Sequence, residues 1–148
     1  MSKVLIVFGS TTGNTEGIAE AIAKQIEAAG HEVTLTNAAD ASADGLCDGY
    51  DCALFGCSAW GTDDVELQPD FDALFVDFDN INAKGVKTGC FASGDSSFEH
   101  FCGAVDVIEA KLNELGAQQI VGGLKVDGDL SAGESDVEEW TNDVLKSL

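Results

Sequence analysis

A segment rich in hydroxyl side chains, Ser10–Thr15, follows the apolar run Val4–Phe8 almost directly. The run is short and rich in β-branched residues, which is typical of a strand buried on both faces. After the segment, Ile18, Ile22 and Ile26 recur every four residues and predict a helix. A strand, a glycine-containing loop and a helix in this order bring backbone N–H groups and the positive end of a helix dipole together. The segment therefore predicts an anion site suited to phosphate.

The composition of this loop narrows the class of ligand. It contains neither GxxxxGK[ST], which would hold the phosphates of a nucleoside triphosphate, nor GxGxxG, which would hold a dinucleotide pyrophosphate. The loop carries no cation, and the whole chain contains no arginine. Because phosphoryl transfer needs its developing charge neutralised by Arg, Lys or a metal, we expect a monophosphate that stays bound and is not transferred. The alternative is an ordinary strand–helix turn in which Thr12 or Asn14 caps the helix.

Two further loops each carry a large aromatic residue beside glycine and polar residues. Trp60 and Gly61 lie in Ser58–Thr62, and Phe98 lies in Ser93–Cys102. Two rings on loops that meet could enclose a flat ligand. The alternatives are that Trp60 folds onto the edge of the sheet and that Phe98 packs at the start of the next helix. A phosphate loop beside both rings favours a flat, phosphorylated ligand.

The elements that must position these loops alternate between strand and helix along the chain. Strands are predicted at 4–8, 31–35, 52–57, 86–91 and 119–126, the last interrupted near Gly122–Gly123. Helices are predicted at 13–29, after residue 62 with Leu67, Phe71, Leu74 and Phe75 on one face, after residue 102, and at 132–148. Such alternation predicts an α/β fold, a doubly wound parallel sheet with ligands outside the carboxyl ends of its strands.

Length, composition and charge exclude several classes of protein. At 148 residues the chain is predicted to be one domain, with apolar runs too short to span a bilayer. No signal-peptide pattern is present, so we expect a cytoplasmic protein. Lys and Arg total 7 against 27 Asp and Glu, a net charge of −20. Nucleic acid and membrane are poor partners for such a surface, whereas a protein with a basic docking surface would be attracted.

The cysteines favour a reduced protein without a metal centre. They form no CxxC pair, and an odd number without a signal peptide predicts free thiols, mostly in the core. Cys52 and Cys57 lie five residues apart on a predicted strand, so they should face opposite sides of the sheet. The full set is Cys47, Cys52, Cys57, Cys90 and Cys102.

Three motifs together resemble a known family: GSTTGNT, GCSAWG and SGDSSFEHFCGAVD. The chain is similar to the short-chain flavodoxins of sulfate-reducing bacteria over the whole of residues 1–148. The resemblance implies a single flavodoxin-like FMN-binding domain, a five-stranded parallel sheet in the order 2-1-3-4-5 and helices on both faces. It also implies a monomer that carries electrons and is not an enzyme.

The resemblance further implies a role for each loop. The hydroxyl loop would hold the FMN phosphate through Ser10, Thr11, Thr12, Gly13, Asn14 and Thr15. Trp60 would cover the inner face of the isoalloxazine ring, Phe98 the outer face, and Asp95 would bond its N3–H and O2 side. The pocket would be completed by Ser58, Ala59, Gly61, Thr62, Ser93, Gly94, Phe101 and Cys102. The chain departs from the family pattern at Phe98, usually tyrosine, and at Ala59, often threonine.

The implied function is a low-potential one-electron carrier in which tightly but non-covalently bound FMN shuttles between semiquinone and hydroquinone. Gly61 would let a peptide turn over and offer its carbonyl to N5 of the semiquinone. The ring loops are acidic and lack Lys and Arg. A carboxylate ~10 Å from the ring at an effective dielectric of ~40 disfavours added negative charge by roughly 0.8 kcal/mol. The acidic residues are Asp63, Asp64, Glu66, Asp95 and Glu99.

The main alternative is an FMN-dependent NAD(P)H:quinone reductase of related fold. Such enzymes usually have longer chains, insertions that build a substrate pocket, and basic residues for the nicotinamide nucleotide. A signalling receiver domain would need carboxylates after the first strand, where this chain has Gly9 and Ser10. The minimal length and acidity favour the carrier.

Overall fold

The computed structural model describes residues 2–9, 14–57, 59–60, 66–67, 69–94, 103–127 and 130–148. The helices are α1 (Asn14–Ala28), α2 (Pro69–Val76), α3 (Gly103–Glu114) and α4 (Leu130–Lys146), with 3₁₀ turns at Ala38–Asp40 and Phe78–Asn80. The strands are β1 (Lys3–Gly9), β2 (Glu32–Asn37), β3 (Cys52–Cys57), β4 (Ala59–Trp60), β5 (Glu66–Leu67), β6 (Lys87–Gly94), β7 (Gln118–Gln119) and β8 (Leu124–Asp127).

The apolar runs form the centre of a parallel sheet. β1 pairs with β2 on one side and with β3 on the other, and β3 pairs with β6. β7 and β8 both pair in parallel with β6, so they are two pieces of one fifth strand. The order 2-1-3-4-5 is therefore confirmed, with β6 as the fourth strand. The interruption expected near Gly122–Gly123 is also confirmed.

Hydrophobic clusters cover both faces of this sheet. Val4, Ile6 and Phe8 pack with α1 and α4 on one side, which we name the α1–α4 face. Leu5 and Val7 pack with α2 and α3 on the other side. Because both faces are buried, consecutive residues of β1 are all apolar instead of alternating with polar ones. Helices on both faces are thus confirmed.

Aromatic rings attach α2 to the sheet. Phe55 of β3 meets Phe71 of α2 edge-on, with ring centroids 6.5 Å apart and planes at 87°. Phe78, in the 3₁₀ turn after α2, lies 5.2 Å from Phe55 by ring centroids. Such edge-to-face contacts add to the free energy of burial, by about 1 kcal/mol each. They fix the segment that follows β3 against the sheet.

Two local predictions are wrong. Leu67 does not join the apolar face of α2, because it lies in β5, where it pairs with Ala59 in an antiparallel β4–β5 ribbon. The helix begins only at Pro69, which suits the first turn because proline has no N–H to donate. The fourth strand also does not break after Phe91, since pairing with β8 continues it to Gly94.

The described cysteines lie in the core, as predicted. Cys52 and Cys57 belong to opposite hydrophobic clusters, which confirms that they face opposite sides. Burial raises the pKa of the Cys47 and Cys52 thiols to about 12, and that of Cys90 well above its ordinary value. Cys102 lies outside the described residues.

Two kinds of feature are absent from the described residues. Across the described ranges, His, Cys, Asp and Glu side chains form no group suited to a metal ion. In the same part of the chain, no helix combines the length and the apolar character needed to cross a membrane.

Candidate functional site

The strands that precede the three loops all end at the same edge of the sheet. Gly9 pairs with Cys57 at the ends of β1 and β3, and Gly94 pairs with Asp127 at the ends of β6 and β8. The pairing of Gly56 with Phe91 joins these two halves of the edge. We name this side, where the strands end, the carboxyl edge. The strands that precede the three loops, β1, β3 and β6, thus end together at this edge.

The order of the strands reverses at the same place. From β1 the chain passes through α1 to β2 on one side, whereas β3 lies on the other side of β1. In open α/β sheets, a crevice for ligands forms outside the carboxyl ends of two strands related in this way. Residues 10–13 join the end of β1 at Gly9 to the start of α1 at Asn14. The first-turn amides of α1, which have no partner within the helix, therefore belong to this edge.

The backbone also brings Ala59 and Trp60 of the second loop beside the strand that leads into the third. Trp60 lies in β4, paired with Glu66, and the Cα atoms of β4 lie within 8 Å of those of β6. β6 ends at Gly94, where the third loop begins. The segment that carries Trp60 therefore lies beside the strand that leads to Asp95 and Phe98.

The predicted site residues fall into two groups. Those whose backbone is described are Asn14 and Thr15 in α1, Ala59 and Trp60 in β4, and Ser93 and Gly94 in β6. Thr15 is fully buried in the first turn of α1. The others lie outside the described residues: Ser10, Thr11, Thr12, Gly13, Ser58, Gly61, Thr62, Asp95, Phe98, Phe101 and Cys102.

Lysines are distributed unevenly between the two ends of the sheet, although carboxylates stand at both, since Asp79 and Asp143 pair with the lysines at the ends of α3 and α4. The helices start near the carboxyl edge, and acidic residues stand in the first turns of α1, α2 and α3: Glu16, Asp70, Asp72 and Asp106. Lysines stand at the other end, in the last turns of α3 and α4 and at the first residues of β1 and β6: Lys111, Lys146, Lys3 and Lys87. This arrangement suits the helix dipoles, which favour anions at the start and cations at the end.

One lysine on the strands near the carboxyl edge is already paired. Lys125 of β8 lies 3.2 Å from the Oδ2 atom of Asp106, measured from Nζ. Its charge is thus offset locally by a carboxylate of α3. The described part of the carboxyl edge therefore keeps an acidic character, as predicted for the loops.

Sequence reasoning missed a packing contact beneath the loops. Gly56 of β3 lies under the ring of Phe91, and Trp140 of α4 lies against that ring. The signal available in the sequence was a glycine inside a buried apolar strand, which often marks a close approach of another group. The sequence does not say which group approaches.

Comparison with known proteins agrees with this geometry. A family model described as Flavodoxin matches residues 6–140. Flavodoxin of Maridesulfovibrio salexigens is 51% identical over 148 residues, and that of Nitratidesulfovibrio vulgaris (strain Miyazaki F) is 47% identical, each match covering 100% of both chains. Among solved structures, oxidised Flavodoxin 2 from Bacillus cereus has a TM-score of 0.89 at 35% identity, covering 99% of this chain and 100% of that one.

These matches extend over the three loops as well as the fold. A flavodoxin from Streptococcus pneumoniae has a TM-score of 0.89 at 27% identity, covering 99% of this chain and 100% of that one. The resemblance to short-chain flavodoxins of sulfate-reducing bacteria is thereby confirmed. The chain belongs to the flavodoxin family, whose members are FMN-containing electron-transfer proteins.

Proposed function

We propose that this chain binds FMN tightly but non-covalently and carries single electrons at low potential between redox proteins. It would work between the one-electron-reduced and fully reduced forms of the flavin. The observation that carries the proposal is the meeting of β1, β3 and β6 at the carboxyl edge beside the first turn of α1. Bound FMN would supply the redox chemistry, while the protein sets the position of the ring and the cost of charging it.

The described residues fit the phosphate end of FMN. The first-turn N–H groups of α1 begin at Asn14, five residues after Gly9 at the end of β1, and lie at the positive end of the helix dipole. We place the phosphate there, with Ser10, Thr11, Thr12 and Thr15 as hydroxyl donors. Since the chain has no arginine, amides and hydroxyls would hold this group, which suits a phosphate that is not transferred.

We place the ring across the ends of β3 and β6. Trp60 would cover its inner face and Phe98 its outer face, with Asp95 at the N3–H and O2 side. The position of β4 beside β6 supports this placement, because it brings the backbone of Trp60 beside the strand that leads to Asp95 and Phe98. Aromatic stacking would exclude water from the ring and strengthen its interactions with nearby charge.

The acidity of the carboxyl edge would make the flavin a strong reductant. Each carboxylate ~10 Å away disfavours the extra negative charge of the reduced ring by roughly 0.8 kcal/mol at a dielectric of ~40. Asp70 and Asp72 add to the acidic residues of the loops, whereas the charge of Asp106 is offset by Lys125. The lysines of the last helical turns lie at the far end of the sheet, where they compensate this charge little.

The same polarity suggests the kind of partner. We propose that the carboxyl edge meets redox proteins with basic docking surfaces, since opposite charge raises the rate of encounter. The chain would act as a monomer, which leaves the edge of the ring open to the partner. The buried thiols of Cys47, Cys52 and Cys90 support a reducing compartment, the cytoplasm.

The first experiment is a visible spectrum of the purified protein, followed by anaerobic titration with dithionite. We expect a yellow protein that turns blue after one electron per flavin and bleaches after the second. Direct bleaching without a blue stage would refute one-electron carriage. A colourless protein that FMN does not reconstitute would refute the site. Sustained NAD(P)H oxidation by the isolated protein would favour a quinone reductase instead.

The partner proposal is tested by electron transfer to a cationic haem protein at low ionic strength. Asp72→Asn, at the carboxyl edge, should slow the second-order rate by about twofold, since a charge ~10 Å away in water is worth roughly 0.4 kcal/mol. Glu32→Gln removes a carboxylate at the other end of the sheet and serves as the matched control. Equal rates for both variants, or no effect of added salt, would contradict docking at this edge.

A further inference from the structure

An aromatic ring lies directly over a glycine at the base of the carboxyl edge. Gly56 of β3 is the Cα partner of Phe91 of β6. A Cβ atom added at Gly56 would lie 2.1 Å from Cε2 and 2.3 Å from Cζ of Phe91. Non-bonded carbon atoms pack at about 3.5–4.0 Å, so the ring occupies the space that any other side chain would need. Phe91 is fully buried.

Trp140 of α4 holds this ring from the helix side. The two rings meet edge to face, with centroids 5.9 Å apart and planes at 64°. Trp140 is fixed in turn by a hydrogen bond of 2.6 Å, which its Nε1 donates to the carbonyl oxygen of Gly122. Because interiors are close-packed, the Phe91 ring cannot move away from Gly56 without displacing Trp140 or the strand itself.

The contact joins the two strands that lead into the ring-covering loops. Gly56 lies two residues before Ser58, and Phe91 lies three residues before Gly94. The ring of Phe91 therefore fixes β3 relative to β6 immediately beneath both loops.

We propose that Gly56, Phe91 and Trp140 form a positioning unit that sets the spacing of the two ring-covering loops. By setting this spacing, the unit controls the affinity for FMN and the reduction potentials of the bound flavin. The inference rests on the proposed function, because it concerns the same site. The three residues act through the loops and are positioning residues.

The test compares alanine substitutions at two glycines, Gly56 and, near the opposite end of the sheet, Gly116. Gly56→Ala crowds the ring of Phe91, whereas Gly116→Ala places a Cβ atom at a φ of +86° and 3.2 Å from Cγ of Lys84, and it touches no member of the proposed unit. Both should lower the Tm of the holoprotein. Only Gly56→Ala should raise the Kd for FMN, by tenfold or more, measured from the fluorescence of flavin released on dilution. A tenfold change confined to one oxidation state shifts that one-electron potential by about 59 mV.

A second substitution tests the direction of the effect. Phe91→Leu in the Gly56→Ala background removes ring atoms from the crowded space, so it should restore the Kd to within about threefold of the wild type. Equal changes of Kd and potential in the Gly56→Ala and Gly116→Ala variants would overturn the proposal. So would a Gly56→Ala variant with a lower Tm and unchanged Kd and potentials.

Two further measurements keep the result interpretable. If Gly56→Ala yields no soluble protein, Phe91→Leu alone should weaken FMN binding, and unchanged binding would overturn the proposal. Amide hydrogen exchange gives a readout that needs no flavin. Gly56→Ala should accelerate exchange in peptides covering 58–62 and 95–102, and Gly116→Ala should not. A wild-type protein without flavin would refute the proposed function, whereas this exchange pattern would still decide the positioning role.

Discussion

The two adjacent glycines between β7 and β8 should respond very differently to alanine. A Cβ atom at Gly123 would lie 2.2 Å from Cγ1 of Val105 and 2.4 Å from Oε1 of Glu109. A Cβ atom at Gly122 would have nothing within 4 Å. The substitutions Gly123→Ala and Gly122→Ala therefore add the same methyl group at neighbouring positions. They differ in the space that is available for it.

The expected loss can be estimated from these contacts. The Glu109 carboxylate is at the end of a flexible side chain and can move at little cost. Val105 is β-branched and 1% exposed, so it must shift by more than about 1 Å within a packed core. Overpacking of this kind costs about 2–3 kcal/mol. For a chain of this size each kcal/mol is worth roughly 3 °C, so Tm should fall by about 6–9 °C.

The assay is urea unfolding of the holoprotein, followed by far-UV circular dichroism and checked by thermal unfolding. The free energy of unfolding of the Gly122→Ala protein should equal that of the wild type or exceed it by up to about 1 kcal/mol, because alanine restricts the unfolded chain. Val105→Ala combined with Gly123→Ala should show a coupling of at least about 1 kcal/mol. Equal stability of the Gly122→Ala and Gly123→Ala proteins would refute the steric reasoning.

Three further predictions concern the core and the surface near it. Trp140→Phe removes the indole donor to Gly122 and part of a buried ring, so urea unfolding should show a loss of about 2 kcal/mol. Cys47 and Cys52, with a pKa of about 12, hold only about 10⁻⁴ thiolate at pH 8, so peptide mass spectrometry should find them alkylated by iodoacetamide only after unfolding. Burial raises the pKa of the Glu109 carboxyl above its ordinary value of 4.5, so the folded state binds this proton more tightly than the unfolded state does. The resulting contribution to the free energy of unfolding is lost as the pH rises through the raised pKa. Glu109→Gln should therefore raise the free energy of unfolding by less than about 1 kcal/mol at pH 7. Urea titrations should show this difference from the wild type shrinking towards pH 5.

Hydrophobic patterning was sufficient to predict the main sheet and its four helices. Both faces of β1 and β3 are buried, so their sequences are continuous apolar runs that only a central parallel strand explains. The carboxyl edge followed from the same reasoning, because each unusual loop came directly after a strand. These predictions depend on local sequence alone.

The errors arose where local sequence was ambiguous. Leu67 is spaced four residues before Phe71, which fits a helix, and two-residue strands such as β4 and β5 leave no periodicity to recognise. The continuation of β6 to Gly94 depends on pairing with β8, which lies far along the chain. The Gly56–Phe91 contact likewise joins different strands, so sequence spacing carries no sign of it.

The division of the fifth strand bears on how the chain length of this family can change during evolution. β7 pairs with β6 at Lys87–Thr88, and β8 pairs with β6 from Phe91 to Gly94, so each piece has its own register. A residue gained or lost between Gln119 and Leu124 would be absorbed in the break and would not reverse the side chains of β8. The carboxyl edge would then keep its geometry while the chain lengthened at this point.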